Sequence, residues 1–367
     1  MSHHPSWTAS FESRALAPAT PPLTSYLLRL MTIKKSNLCF SADVTTTSEL
    51  LAVAEEVGQS ICLLKTHADI ISDFGDRTVR GLRDIAKRKG FLVFEDRKLG
   101  DIGSTVQRQY TSGPLSIAKW AEIVNAHIFP GPSIVTALAS AASDAIAVYN
   151  TAVHTVITSG EPSSSDTDND QDKPDPNKLT RTISVPSGEK KASIVNISTT
   201  IFTRTERISP QPTPFPSMSS ASPDPLKDLK AKLGPAPYLR GLLLLAQMSS
   251  EGNLLDEAYT NKCLEVAREN RNFVLGFVAQ RSLNTLPDDN FLVMTPGVQL
   301  PKDSETGKVS GDGLGQQYNG PRHVVGELGC DIIIVGRGIL NAKDRTAEAE
   351  RYRKAGWEAY EERIGLK

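Results

Sequence analysis

Residues 91–103 read FLVFEDRKLGDIG. Phe91 to Phe94 form an apolar run that suits a buried strand, and it ends in Glu95, Asp96, Arg97 and Lys98, with Asp101 close behind. Asp96 and Lys98 are two apart, so an extended chain projects both to the side shared by Leu92 and Phe94. That places a carboxylate and an ammonium at the top of a core. Asp101 follows Gly100 at the head of the helix-like stretch IGSTVQRQYTS (102–112). A carboxylate there favours a helix N-terminus, so a capping role and a site role both stay open for it. A lysine held between two carboxylates stays charged and fixed in position, which makes Lys98 a candidate proton donor to a bound substrate.

Seven further apolar runs share this character: LCFSAD (38–43), ICLLK (61–65), EIVNAHI (122–128), GLLLLAQ (241–247), FVLGFVAQ (273–280), FLVMTP (291–296) and DIIIVG (331–336). Most are followed by an amphipathic, helix-like stretch. Near-continuous apolar strands alternating with helices imply a parallel sheet covered on both faces. Eight such units predict an α/β protein of the closed (β/α)8 TIM-barrel type, which takes about 250 residues. No G-x-G-x-x-G turn follows the first strand, so an open dinucleotide-binding sheet is the weaker reading.

The chain has 367 residues, and the excess length falls in two places. Residues 1–35 form an N-terminal arm with a short helix expected around LTSYLLRLM, leaving 36–367 as the barrel domain. Residues 155–232 turn to Ser, Thr, Pro, Asp and Lys, between the fourth helix (SIVTALASAASDAIAVYN) and the fifth strand. Such a segment buries too little apolar surface to offset its ordering entropy, so it is expected to be a disordered or loosely packed insertion. SIVNISTTIF within it has the pattern of a weakly held strand. The sequon at Asn196 carries no meaning in a cytosolic protein.

Composition narrows the function classes. With 41 basic and 42 acidic side chains the formal net charge is −1, without the basic excess that a nucleic-acid or anionic-membrane binder needs. The strongest apolar run, GLLLLAQM, is too short to span a bilayer. Cys39, Cys62, Cys263 and Cys330 are scattered without a CxxC pair, which points to reduced, mostly buried thiols rather than zinc or disulfides. The first residues lack the continuous apolar core of a secretory signal, so a cytoplasmic location is expected.

In a parallel barrel the active site gathers at the C-terminal ends of the strands. Those ends include His127 and carry Asp43, Lys65, Asp96, Lys98 and Arg337, and these five together point to a functional cluster. Near the C-terminus, GDGLGQQYNG (311–320) and the strand-eight ending VGRG combine a Gly-rich loop, amide and phenol donors, and the bidentate fork of Arg337. Gly336 and Gly338 permit close backbone approach, and phosphate binding is the expectation. The six histidines form no metal constellation. His67, in KTHAD, reads as a hydrogen-bonded structural residue. No G-x-S-x-G elbow is present, and Ser249 has no evident base partner.

FEDRKLGDIGSTV resembles the signature of the orotidine 5′-monophosphate decarboxylase family. The resemblance continues in order through NLCFSADV, ICLLKTHADI, NAHIFPGPSIV, LLLLAQMSSEG, GFVAQR, MTPGVQL, LGQQYNGP, IIIVGRGI and ERYRKAGWEAY. It spans nearly all of 24–154 and 237–365, leaves 155–232 unmatched, and is most similar to the fungal form, which often carries an insertion there. The resemblance implies decarboxylation of orotidine 5′-monophosphate to UMP, with no cofactor and no metal. It implies that Lys98 protonates C6 of the pyrimidine, with Asp96 beside the substrate carboxylate. Lys65 and Asp101 would complete an alternating Lys–Asp–Lys–Asp network, with Asp101, Ile102 and Thr105 reaching the neighbouring subunit's site in a homodimer. Asp43 and Lys65 would hold ribose hydroxyls, Ser249 and Gln316 would read the base, and Pro296 would pack along it. Gln316, Tyr318 and Arg337 would hold the phosphate, with the backbone of Gly336 close by. A magnesium-dependent phosphosugar lyase of the same barrel superfamily is the alternative enzyme, although KTHADI and LGQQY favour the nucleotide. A non-catalytic nucleotide-binding barrel is the other alternative, and Lys98 and Asp101 count against it.

Overall fold

The computed structural model describes residues 3–151, 153–159, 178–183, 195–201, 231–250, 252–300 and 318–367. Three helices lead into the chain: α1 (Pro5–Thr8), α2 (Phe11–Leu16) and α3 (Pro22–Lys34). The first four barrel strands are β1 (Leu38–Ala42), β2 (Leu63–Thr66), β3 (Leu92–Leu99) and β4 (Ile123–Ala126). After β5 (Val153–Ser159), β6 (Lys178–Ile183) and β7 (Val195–Ile201) come β8 (Gly241–Leu245), β9 (Val274–Val278), β10 (Leu292–Thr295) and β11 (Ile332–Val335). The barrel closes in the order β1-β11-β10-β9-β8-β4-β3-β2, and every pairing in it is parallel. All eight apolar runs read from the sequence are strands of this barrel. Their residues are near-continuously apolar because helices cover the outside while side chains such as Phe40, Phe94 and Phe277 are wholly buried. Burying one such side chain contributes about 1.5–3 kcal/mol.

Helices join most of the strands: α4 (Thr47–Val57), α5 (Asp76–Lys89), α6 (Gly103–Thr111), α7 (Ser133–Asn150), α8 (Glu257–Glu269), α9 (Arg337–Leu340) and α10 (Arg345–Arg363). Local chemistry sets their ends. Thr46 and Asp344 accept hydrogen bonds from Glu49 N and Ala347 N to cap α4 and α10, and Gly90 ends α5 in the left-handed region. The β9–β10 connection contains no helix, and the described part of the β10–β11 connection holds a single π-helical turn, Arg322–Glu327. On β9, a Cβ at residue 276 would collide with the Leu292 backbone across the pair, so only glycine fits there.

The arm over 1–35 holds more structure than one short helix. Ser10 caps α2 through Ser13 N, Phe11 is fully buried against Tyr360, and Leu27, Leu28 and Met31 are buried along α3. Arg14 reaches under the barrel to the carboxylate of Asp331, which also receives Arg363 at 3.4 Å and Val293 N at 3.1 Å. His4 Nε2 also lies 2.7 Å from the Leu286 carbonyl. The reason is the buried ion cluster: apolar periodicity does not reveal an arginine that docks a helix.

The chain divides into two compact units, 1–143 with 209–367, and 144–208. The second contains a three-stranded antiparallel sheet in the order β5-β7-β6, with Val153 opposite Ile201 and Ile183 opposite Val195. The strand expected from SIVNISTTIF is its central one. Two more strands occupy a stretch expected to be loosely packed, because VHTVITS and KLTRTI also carry β-branched residues that favour extended chain. No described helix is long and apolar enough to cross a membrane.

Candidate active site

The C-terminal ends of the strands surround a cleft of about 240 Å³ in the first unit. From β1 to β3 it is lined by Ser41, Asp43, Lys65, His67, Phe94, Asp96 and Lys98, and on the opposite side by Gln247, Ser249, Pro296, Tyr318, Gly336 and Arg337. Asp96 is the hub. Its Oδ2 lies 2.7 Å from Lys65 Nζ and 3.1 Å from His67 Nε2; its Oδ1 lies 2.7 Å from Lys98 Nζ and accepts from Asn125 Nδ2 at 2.7 Å. Asp43 accepts from Ser41 Oγ at 2.9 Å, sits 2.8 Å from His67 Nδ1 and 4.0 Å from Lys65 Nζ.

Burial alone would raise Asp96, but Lys65, His67 and Lys98 outweigh it and hold the carboxyl well below the usual range. Burial likewise opposes the lowering of Asp43, whose hydrogen bond with His67 and proximity to Lys65 bring it to about 2. Burial pulls His67 down, while its bonds to Asp43 and Asp96 override that and raise it. Lys65, 3.4 Å from Nε2, presses the other way. At neutral pH both carboxylates are therefore ionised, and they fix two lysines beside the same opening. The Lys98 side chain is 37% exposed against 8% for Lys65, so Lys98 is the more open of the two ammonium groups lining the cleft.

Asp96 and Lys98 meet, though not through the regular alternation expected. The β3–β4 register shifts between Glu95 and Leu99, and Lys98 adopts φ +50°. Its amide donates to Asn125 Oδ1 at 2.7 Å, so one side chain on β4 holds both the kinked backbone and the Asp96 carboxylate. A strained non-glycine φ next to a charge cluster is where a functional constraint outweighs backbone preference.

Asp101 stands outside this cluster within the chain. It accepts from Ile102 N at 2.8 Å and from Gln109 Nε2 at 3.2 Å, and no side chain caps α6, so Asp101 is not a helix cap. Ile102 and Thr105 are exposed, and neither lines the cleft. Ser249, Pro296, Tyr318, Gly336 and Arg337 do line it, with the Arg337 guanidinium 5.8 Å from the Tyr318 ring centroid. Gln316 and the GDGLG loop lie outside the described residues. No group of three or more metal-ligating side chains gathers among the described residues.

Two members of the site escaped sequence reasoning. His67 reads as a structural histidine and is hydrogen-bonded as such, but its two bonds join the carboxylates of the cluster. Asn125 carried one usable signal: it is an amide in the middle of an apolar strand, wholly buried, and such a group needs partners.

Residues 36–200 and 215–352 match the profile described as "Orotidine 5'-phosphate decarboxylase / HUMPS family". Among similar proteins, one from Aureobasidium pullulans is 45% identical over 98% of this chain and 96% of its own length. One from Hypocrea atroviridis is 46% identical over 99% of this chain and 100% of its own, and one from Hypocrea jecorina is 45% identical over the same shares. All three are named orotidine 5′-phosphate decarboxylase.

Proposed function

Because the chain belongs to the orotidine 5′-phosphate decarboxylase / HUMPS family, we propose that it decarboxylates orotidine 5′-monophosphate to UMP and CO2 in pyrimidine synthesis. The observation that carries the reading is Lys98 Nζ held 2.7 Å from Asp96 at the mouth of the cleft. Heterolysis of the C6–carboxylate bond leaves an electron pair on C6 and releases CO2. A fixed ammonium aimed at C6 stabilises that charge and then gives it a proton. The neutral Lys98 amine regains a proton from water to close the cycle. Asp96 orients the ammonium and places negative charge beside the departing carboxylate.

Asp43 and Lys65 hold ribose hydroxyls in this reading. Ser249 and Gln316 address the base and Pro296 packs along it. Tyr318, Arg337 and Gln316 bind the phosphate, with the Gly336 backbone alongside. Binding energy from that remote phosphate serves to orient the ring over Lys98. The chemistry calls on no cofactor and no metal, since the cluster supplies its own charge. Purified protein in excess chelator is expected to consume orotidine 5′-monophosphate, followed by its absorbance, as fast as with magnesium. Activity lost in chelator and restored by magnesium favours the phosphosugar reading instead.

The working unit is a homodimer of a cytoplasmic enzyme, with Asp101, Ile102 and Thr105 completing the partner's site. Support comes from their position at the rim, where Ile102 is 56% exposed although apolar, and Phe129 beside Gly100 is 67% exposed. Mixing inactive Lys98→Ala and Asp101→Ala subunits is expected to regenerate one intact site in each heterodimer. Verified heterodimers without recovered activity contradict sharing.

A further inference from the structure

The ion cluster has a back as well as a front. Along β2 and the following turn, Lys65 and His67 line the cleft while Thr66, between them, does not; along β3, Phe94 and Asp96 line it while Glu95 does not. Glu95 and Thr66 are register partners across the two strands. Glu95 is wholly buried, yet it makes no ion pair with a lysine or arginine among the described residues. Its Oε2 accepts from Thr66 Oγ1 at 2.6 Å, and the carboxylate accepts from Ala68 N at 3.0 and 3.2 Å. Ala68 opens the short turn Ala68–Ile70, which has no side-chain cap of its own. Glu95 thus ties down the residues on either side of His67, one of which directly follows Lys65.

We propose that Glu95 is a positioning residue for the decarboxylation, fixing Lys65 and His67 against Asp96 through the Thr66 hydroxyl and the Ala68 amide. Burying a carboxylate without a cation is costly, and burial pushes Glu95 up to about 7 against the lowering effect of the two hydrogen bonds. An apolar side chain would satisfy the packing at lower cost but would leave the turn that carries His67 without its anchor. Glutamine keeps both bonds, accepting from Ala68 N and donating to Thr66 Oγ1.

The inference rests on the decarboxylase reading, and its test has one readout that does not. Full-length Glu95→Ala, Glu95→Gln and Thr66→Val are compared for kcat and KM with orotidine 5′-monophosphate, and for the His67 imidazole titration by NMR. Outer-shell anchors of this kind are worth about 10- to 100-fold, so Glu95→Ala is expected to lose that much kcat, with the His67 midpoint falling towards that of free histidine. Glu95→Gln recovers most of kcat and keeps the His67 midpoint raised. Thr66→Val, which removes one bond and preserves shape, lowers both readouts part of the way and decides the matter if Glu95→Ala does not fold. The proposal is overturned if Glu95→Ala or Thr66→Val keeps parental kcat, if Glu95→Gln is as impaired as Glu95→Ala, or if His67 titrates unchanged in a folded Glu95→Ala. A parent protein inactive on orotidine 5′-monophosphate refutes the function, while the His67 midpoints still decide the role of Glu95.

Discussion

Lys98→Ala is expected to leave a folded barrel whose kcat for orotidine 5′-monophosphate falls at least about 10⁴-fold, because proton donation and electrostatic stabilisation of the carbanion are lost together. The fold survives because Lys98 sits at the strand end, 37% exposed, above a core that does not depend on it. The Lys98 backbone stays held by its amide bond to Asn125, which alanine retains. Substrate affinity is expected to change far less than turnover, since the proposed phosphate and ribose contacts come from other residues; the signature is a fall in kcat with a modest shift in KM. Circular dichroism matching the parent, together with UMP production below detection, is the predicted pair of results. Turnover near that of the parent refutes Lys98 as the donor.

The second large effect concerns stability and lies at the other end of the barrel. Asp331, just before β11, is 2% exposed between the guanidinium groups of Arg14 and Arg363 and also accepts from Val293 N. Asp331→Ala leaves two buried cations and a strand amide without their shared acceptor. Breaking a buried pair in this way costs about 3–5 kcal/mol. Thermal unfolding is expected to move down by on the order of 10 °C, with α2 losing its dock on the barrel. At temperatures where the variant remains folded its kcat should match the parent, because the site sits at the opposite ends of the strands. A midpoint lowered by less than about 2 °C contradicts the clamp.

The barrel was legible because its signal is local and repeated: each strand is an apolar run followed in most cases by a helical period, and eight of them account for the sheet. The site's charges were legible for a related reason, since Asp43, Lys65, Asp96 and Lys98 interrupt apolar runs at the strand ends. What stayed hidden depends on contacts distant in sequence. Arg14 meets Asp331 across more than three hundred residues, so the arm read as one short helix. Asn125 meets Asp96 and Lys98 only because β4 lies beside β3. His67 follows Lys65 by two residues, and the alternation that brings Lys65 into the cleft brings His67 there too, a clue available in KTHAD. Asp101 shows the limit in the other direction. Its motif is as clear as that of Lys98, yet among the described residues of one chain its carboxylate is hydrogen-bonded only by Ile102 and Gln109.

The most direct measurement of the central claim restores the ammonium chemically. All four native cysteines are buried free thiols, so in folded Lys98→Cys the thiol at the cleft is the accessible one. Alkylation with 2-bromoethylamine converts it to an aminoethyl thioether that ends in an ammonium at nearly the lysine distance. Lys98→Cys is expected to be inactive, and stoichiometric aminoethylation is expected to return a substantial part of orotidine 5′-monophosphate decarboxylation. Full modification at residue 98, verified by mass, with no return of UMP formation, would contradict it.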